Sequence, residues 1–237
     1  PLLTQFQFPM SVFVSTNAID KNYESMMTWS QLREMAPLVD VFNHTVNHPH
    51  LVNLLPENLE NEIHIAQDRI SKELGVKDKY LAYPYGEYDD ETYSFLESNG
   101  YIGFGQQSGV ASQESDFLNI PRYSMSGPYA KMESFILKVK TVDMPLKNIK
   151  PKSMIISGDF KPRLDLVFSR PLTQYERNNF ACYVSGQNKT KLEWSGLQSL
   201  VISVEDPLEV GRSRYNCTMP FKENGRYYWF SKLWLRL

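Results

Sequence analysis

The chain is poor in the residues that most often carry metal or nucleophilic chemistry, with two cysteines and four histidines in 237 residues and no histidine beyond His64. It also lacks an excess of charge of either sign. With 25 Lys and Arg against 27 Asp and Glu, a net charge of −2 and a pI near 6.2, it has no broad basic field to hold nucleic acid or an anionic membrane surface. A neutral or weakly charged substrate suits it better. No apolar run approaches the roughly 18 to 20 residues that cross a bilayer, so no membrane span is expected. The chain opens at PLLTQF without the charged start and cleavage site of a signal peptide, which puts any targeting segment outside this sequence. It contains no internal repeat and no low-complexity stretch.

Hydrophobic residues make up 42% of the chain, enough for one barrel-sized domain or two smaller ones, and the pattern divides it into halves of different character. Up to about residue 140, strand-like and helix-like stretches alternate. PMSVFVS (9–15), VDVFNHT (39–45), KYLAYPYG (79–86), YIGFG (101–105) and NIPRYSM (119–125) read as strands. MTWSQLREMAP (27–37), DDETYSFLESNG (89–100) and KMESFILKVKTV (131–142) read as helices. The clearest helix is PENLENEIHIAQDRISKELG (56–75), which puts Leu59, Ile63, Ala66, Ile70 and Leu74 on one face and Gly75 at its end. Such alternation implies parallel strands in an α/β sheet or barrel.

From about residue 147 the rhythm becomes short alternating segments broken by Gly, Pro, Asn and Asp. MIISGDF, RLDLVF, FACYVSG, KLEWSG, SLVISV, SRYNCTM and RYYWFSKLWLRL suggest about seven strands, read as a β-sandwich. The expected division is a domain at 1–142, a linker at 143–153 and a sandwich at 154–237. Cys182 and Cys217 both fall in strand-like segments. They are either two buried thiols or one disulfide, and a disulfide would suit an oxidising compartment such as a periplasm. Asn-x-Ser/Thr triplets at Asn43, Asn188 and Asn216 are taken as chance matches, since the first adjoins His44 and the last adjoins Cys217.

In HTVNHP the two histidines His44 and His48 stand four residues apart, which on one helical turn would point both imidazoles at a divalent cation. The motif follows a predicted strand, hence at the C-terminal end of the sheet, where the active sites of α/β barrels lie. His50, after the proline, is expected to face solvent or cap the turn. His64 is expected to be a partly exposed helix residue. A catalytic site of this kind usually has three protein ligands, so the third should be a carboxylate; Asp20 and Asp40 are available but sit in no strand-end motif.

HTVNHP resembles the H-[ST]-x-x-H-P motif of the polysaccharide deacetylases, the NodB-homology domain of carbohydrate esterase family four. Its surroundings are similar too: MTWSQLREM before it, LPENLENEI after it, then LAYPYGEYDDETYSFLESNGY, which looks like the third motif of the family's AYPYG branch. These stretches cover roughly residues 1 to 125. GRSRYNCTMPFKENGRYYWFSKLW resembles the β-rich C-terminal extension of some bacterial members. The resemblance implies a distorted (β/α) barrel lacking its first strand, followed by a β-sandwich, and a hydrolase removing N-acetyl groups from the amino sugars of a polysaccharide of the N-acetylglucosamine type. It implies one divalent metal ion held by His44, His48 and an aspartate, with zinc the first expectation and cobalt, nickel, manganese or iron also compatible. Tyr85 would supply its backbone N–H to the oxyanion, with Pro84 and Gly86 shaping the substrate-binding turn.

The family's T-F-D-D-G motif, which carries the base and the metal carboxylate, is absent, so both aspartates are expected upstream of Pro1. Ala82 stands where many members have an arginine, leaving Arg122 as the candidate to orient the base. No late histidine is present to act as general acid. As it stands, the chain is expected to be a poor catalyst. The alternative is an inactive carbohydrate-binding or scaffolding protein that retains the barrel. A periplasmic or extracellular location is implied. In the C-terminal half, Trp194, Trp229, Trp234, Tyr227 and Tyr228 are either core residues or sugar platforms, and alternation in LWLRL makes Trp234 the best exposed candidate.

Overall fold

The computed structural model describes residues 5–36, 38–222 and 225–237. It divides into two compact units, Pro1–Gly105 with Asp116–Ile120, and Gln106–Ser115 with Pro121–Leu237.

In the first unit, β1 (Met10–Val14), β2 (Val39–Asn43), β3 (Tyr80–Ala82) and β4 (Ile102–Phe104) form one parallel sheet in sequence order. The connections contain helices α1 (Thr16–Asp20), α2 (Trp29–Met35), α3 (Pro56–Leu74) and α4 (Asp90–Ser98). Val12, Val14 and Val41 on one face pack with Ile19, Trp29, Leu32 and Ile70 from the first three helices. On the alternate face the rings of Phe13, Phe42, Tyr80 and Phe104 meet with centroids 4.7 to 6.2 Å apart. Helix α3 begins with proline, where no N–H is needed, and stops at Gly75 with φ 72°, a left-handed C-cap. Among the described residues the sheet is an open four-stranded one, not a closed barrel. The strand expected over 119–125 does not form. Ile120 makes one bridge to Phe104, and Pro121 then has no N–H for a ladder.

In the second unit, helix α5 (Met132–Val139) precedes β5 (Val142–Asp143) and β6 (Leu146–Lys150). Strand β6 and Asp143 of β5 fall in the stretch 143–153 expected to be a linker. They are followed by β7 (Leu164–Phe168), α6 (Gln174–Asn178), β8 (Ala181–Val184), β9 (Thr190–Ser195), β10 (Ser199–Val204), β11 (Gly211–Phe221) and β12 (Arg226–Arg236). Two four-stranded sheets result, in the orders β6-β7-β10-β9 and β5-β12-β11-β8. One hydrophobic cluster joins Leu164, Leu166, Phe168, Leu200 and Ile202 of the first with Cys182, Tyr215, Cys217 and Trp234 of the second. The strand expected over 154–160 reduces to a bridge from Ile155 to Leu235, because Gly158 and Phe160 both turn to positive φ. Cys182 and Cys217 stand opposite each other in the β8–β11 register and are bonded.

Trp234 is not the exposed platform expected of it. Its side chain is 1% exposed and meets Tyr215 edge-on at 5.6 Å. Alternation misassigned it because residues 231–235 are buried on both faces of β12, so neither face is the wet one.

Candidate metal and catalytic site

The site is built where the parallel strands end. His44 N–H donates to Val14 O at the end of β1 (3.0 Å), and its Nδ1 lies 2.6 Å from Ala82 O at the end of β3. A carbonyl can only accept, so Nδ1 carries a proton and donates it to Ala82 O. The ring is thus oriented by backbone at two strand ends.

His44 and His48 do not share a helical turn. The segment is an irregular loop in which Thr45 has φ 68° and His48 φ 58°. Competing hydrogen bonds explain this. The N–H groups of Thr16 and Asn17 at the start of α1 take the carbonyls of Thr45 and Val46, at 3.2 and 3.0 Å. Buried Asn43 accepts from Thr45 N–H (2.8 Å) while its amide donates to Ile63 O on α3 (2.9 Å). Thr45 Oγ1 in turn accepts His48 N–H at 2.9 Å, which gives the Ser/Thr of the motif a physical task. The two imidazoles still converge, edge to face, with centroids 4.6 Å apart.

Two acidic residues hold this loop and its neighbour, and neither was singled out from sequence. Glu62 on α3 accepts from the N–H groups of Val46 (3.0 Å) and Asn47 (2.8 Å) and from the Asn47 amide (2.6 Å). Glu87, almost fully buried, lies 2.5 Å from Nδ1 of His50. His50 is therefore exposed, as expected, but not loose.

The Pro84–Gly86 stretch is a single 3₁₀ turn following β3, with Pro84 and Gly86 buried. Tyr85 sits at φ 58°, a backbone state that costs an aromatic residue about 1–3 kcal/mol and persists only where its surroundings enforce it. Its ring is enforced from two sides, edge-on to His48 at 4.6 Å and stacked on His50 at 4.0 Å and 7°. The turn and the histidine pair are thereby one constellation.

Asp20 is committed elsewhere: the hydrogen-bonded Arg69 guanidinium holds its carboxyl below the usual carboxylate range, and Trp29 Nε1 donates to it at 2.7 Å. Asp40 is exposed on β2. His64 pairs with Glu60 at 3.4 Å along α3, as a helix-surface residue does. Arg122 belongs to the second unit, where its N–H donates to Gln107 O. Among the described residues no group of three or more His, Cys, Asp or Glu is arranged to hold a metal ion. His44 and His48 fit two positions of a three-ligand site, and the carboxylate position is unassigned among them.

The polysaccharide deacetylase family profile matches residues 1–103. Among solved structures, the Streptococcus pyogenes deacetylase PplD in complex with acetate is 26% identical, with a TM-score of 0.55 over 58% of this chain and 62% of that one. A polysaccharide deacetylase from Bacillus cereus is 19% identical with a TM-score of 0.50, over 56% of this chain and 42% of that one, a likeness of fold. The chain thus spans less than two thirds of the length of these relatives. Comparison with curated protein sequences finds no match. Residues 1–103 thus match the polysaccharide deacetylase family profile, and the mixed α/β fold is similar to that of a solved deacetylase.

Proposed function

We propose that the protein is a metal-dependent hydrolase that removes N-acetyl groups from the amino sugars of an N-acetylglucosamine-type polysaccharide. The observation that carries this is the convergence of His44, His48 and the Tyr85 turn at the ends of the parallel strands. In this reading His44 Nε2 and His48 hold a divalent cation, zinc first among the compatible metals, together with an aspartate of the T-F-D-D-G motif expected upstream of Pro1. When bound, the cation supplies Lewis-acid polarisation of the amide carbonyl and activation of water. Tyr85 N–H is the donor to the developing oxyanion, with Pro84 and Gly86 fixing its direction, and a second upstream aspartate is the base. The parallel sheet is read as part of a distorted (β/α) barrel and the two sheets of the second unit as a β-sandwich. Among the described residues no helix is long and apolar enough to cross a membrane. The disulfide suits an oxidising compartment, periplasmic or extracellular.

The test is acetate release from N-acetylglucosamine oligomers by the full-length protein loaded with zinc. Wild type should release acetate, chelation should stop it, and His44→Ala should lose both bound zinc and activity. Undiminished metal-dependent release by His44→Ala would overturn the assignment. Oligomer binding without acetate release would favour the silent carbohydrate-binding protein.

A further inference from the structure

His50 combines two properties that rarely occur together. Its side chain is 63% exposed, yet it is immobilised by a carboxylate, Glu87, that is only 5% exposed, and by parallel stacking on Tyr85. A solvent-facing histidine with no task keeps its rotamer freedom. Tyr85 covers one face of the imidazole, so a ligand can reach the ring only from the other face or from its edge. Tyr85 touches His48 and His50 at once, so the imidazole stands one ring away from the histidine pair.

We propose that His50 is a substrate-binding residue that seats a pyranose ring of the polymer beside the reacting acetamide. This rests on the deacetylase reading above. The flat imidazole face suits the C–H face of a sugar, as aromatic platforms do, and Nε2 adds a directional hydrogen bond to a hydroxyl. Glu87 is a positioning residue: by accepting the Nδ1 proton it fixes both the ring plane and the nitrogen presented to the sugar.

The experiment compares zinc-loaded full-length wild type, His50→Ala, His50→Phe and Glu87→Gln on N-acetylglucosamine pentamer and on 4-nitrophenyl acetate, which carries no sugar. His50→Ala should raise KM for the pentamer about tenfold with zinc content retained, and its loss of kcat/KM on the pentamer should exceed its loss on the ester. His50→Phe, which keeps a flat ring but no hydrogen-bonding nitrogen, should fall between the two. Glu87→Gln should raise the pentamer KM alone, in the same direction as His50→Ala. If wild type deacetylates the pentamer and His50→Ala has the same KM, the sugar contact is wrong while the deacetylase reading stands. Parallel loss of zinc, ester hydrolysis and pentamer turnover in His50→Ala would equally overturn it, making His50 a prop of the metal loop. A wild type that neither binds nor deacetylates the pentamer removes both proposals together.

Discussion

Thr45 shows at the scale of a single residue how the site is held. A β-branched side chain at φ 68° is unfavourable, and the loop keeps it because Asn43 takes its N–H and its own hydroxyl takes that of His48. Glu62 completes the hold by neutralising two further donors on Val46 and Asn47. In the proposed metal site Glu62→Ala should therefore weaken zinc binding, as read by competition with a chromophoric chelator, because the loop between the two histidines loses its bonds to that carboxylate. The histidine pair stands out in the sequence because its spacing is local, but the helical turn that the spacing implies does not form. Glu62 does not stand out, since it reaches the loop from 15 residues away on another element and leaves no pattern in the chain. Trp234 was misjudged for a related reason: which face of a strand is wet depends on what packs over it. Buried as it is, Trp234→Ala should cost about 3–5 kcal/mol in urea unfolding, far more than loss of an exposed platform would.

Among the elements, most strands and the long helices are legible, whereas β6, a five-residue strand paired with β7, lies in the stretch read as a linker. Helix α6 has only five residues, too few to show a period, although Thr173 and Glu176 form a reciprocal capping box that the sequence TQYE announces. Glu176 also receives Arg170, and that hydrogen-bonded guanidinium holds its carboxyl below the ordinary value of 4.5. A depressed carboxyl stabilises the fold above its unfolded pKa and loses that contribution as pH falls through the folded one. Wild type should thus exceed Glu176→Gln in stability at pH 7, and the gap in urea titrations should shrink once pH drops below about 4.5. Strand β4 depends on absence of a side chain. A Cβ on Gly103 would stand 2.2 Å from Leu118 O and 2.8 Å from Tyr83 Oη, the two atoms that hydrogen-bond each other across this strand. Gly103→Ala should cost about 1–3 kcal/mol by forcing that carbonyl aside, measured by the same unfolding curves.

For the whole molecule, the change of rhythm in the sequence separates an α/β half from a β-rich half, and the structure divides into two compact units whose chain segments interleave. Residues 106–115 group with the second unit and 116–120 return to the first, an exchange that periodicity cannot reveal because these segments form no regular element. The disulfide lies wholly in the second unit, where it fastens edge strand β8 to β11 at a paired register position inside the hydrophobic cluster. Its partners are 35 residues apart, and closing a loop of that length in the unfolded chain is worth about 3–4 kcal/mol in the chain-entropy model. Reduction by a thiol should speed hydrogen exchange at the amides of β8 and β11 accordingly. The bonds from Val14, Ala82, Thr45 and Glu62 that hold His44, His48 and the loop between them come from the first unit, so the affinity of the proposed site for zinc should be unchanged in the reduced protein. Loss of zinc on reduction would show that the metal loop draws its order from the disulfide-bonded half as well, and the contacts at the strand ends would then be insufficient to hold it.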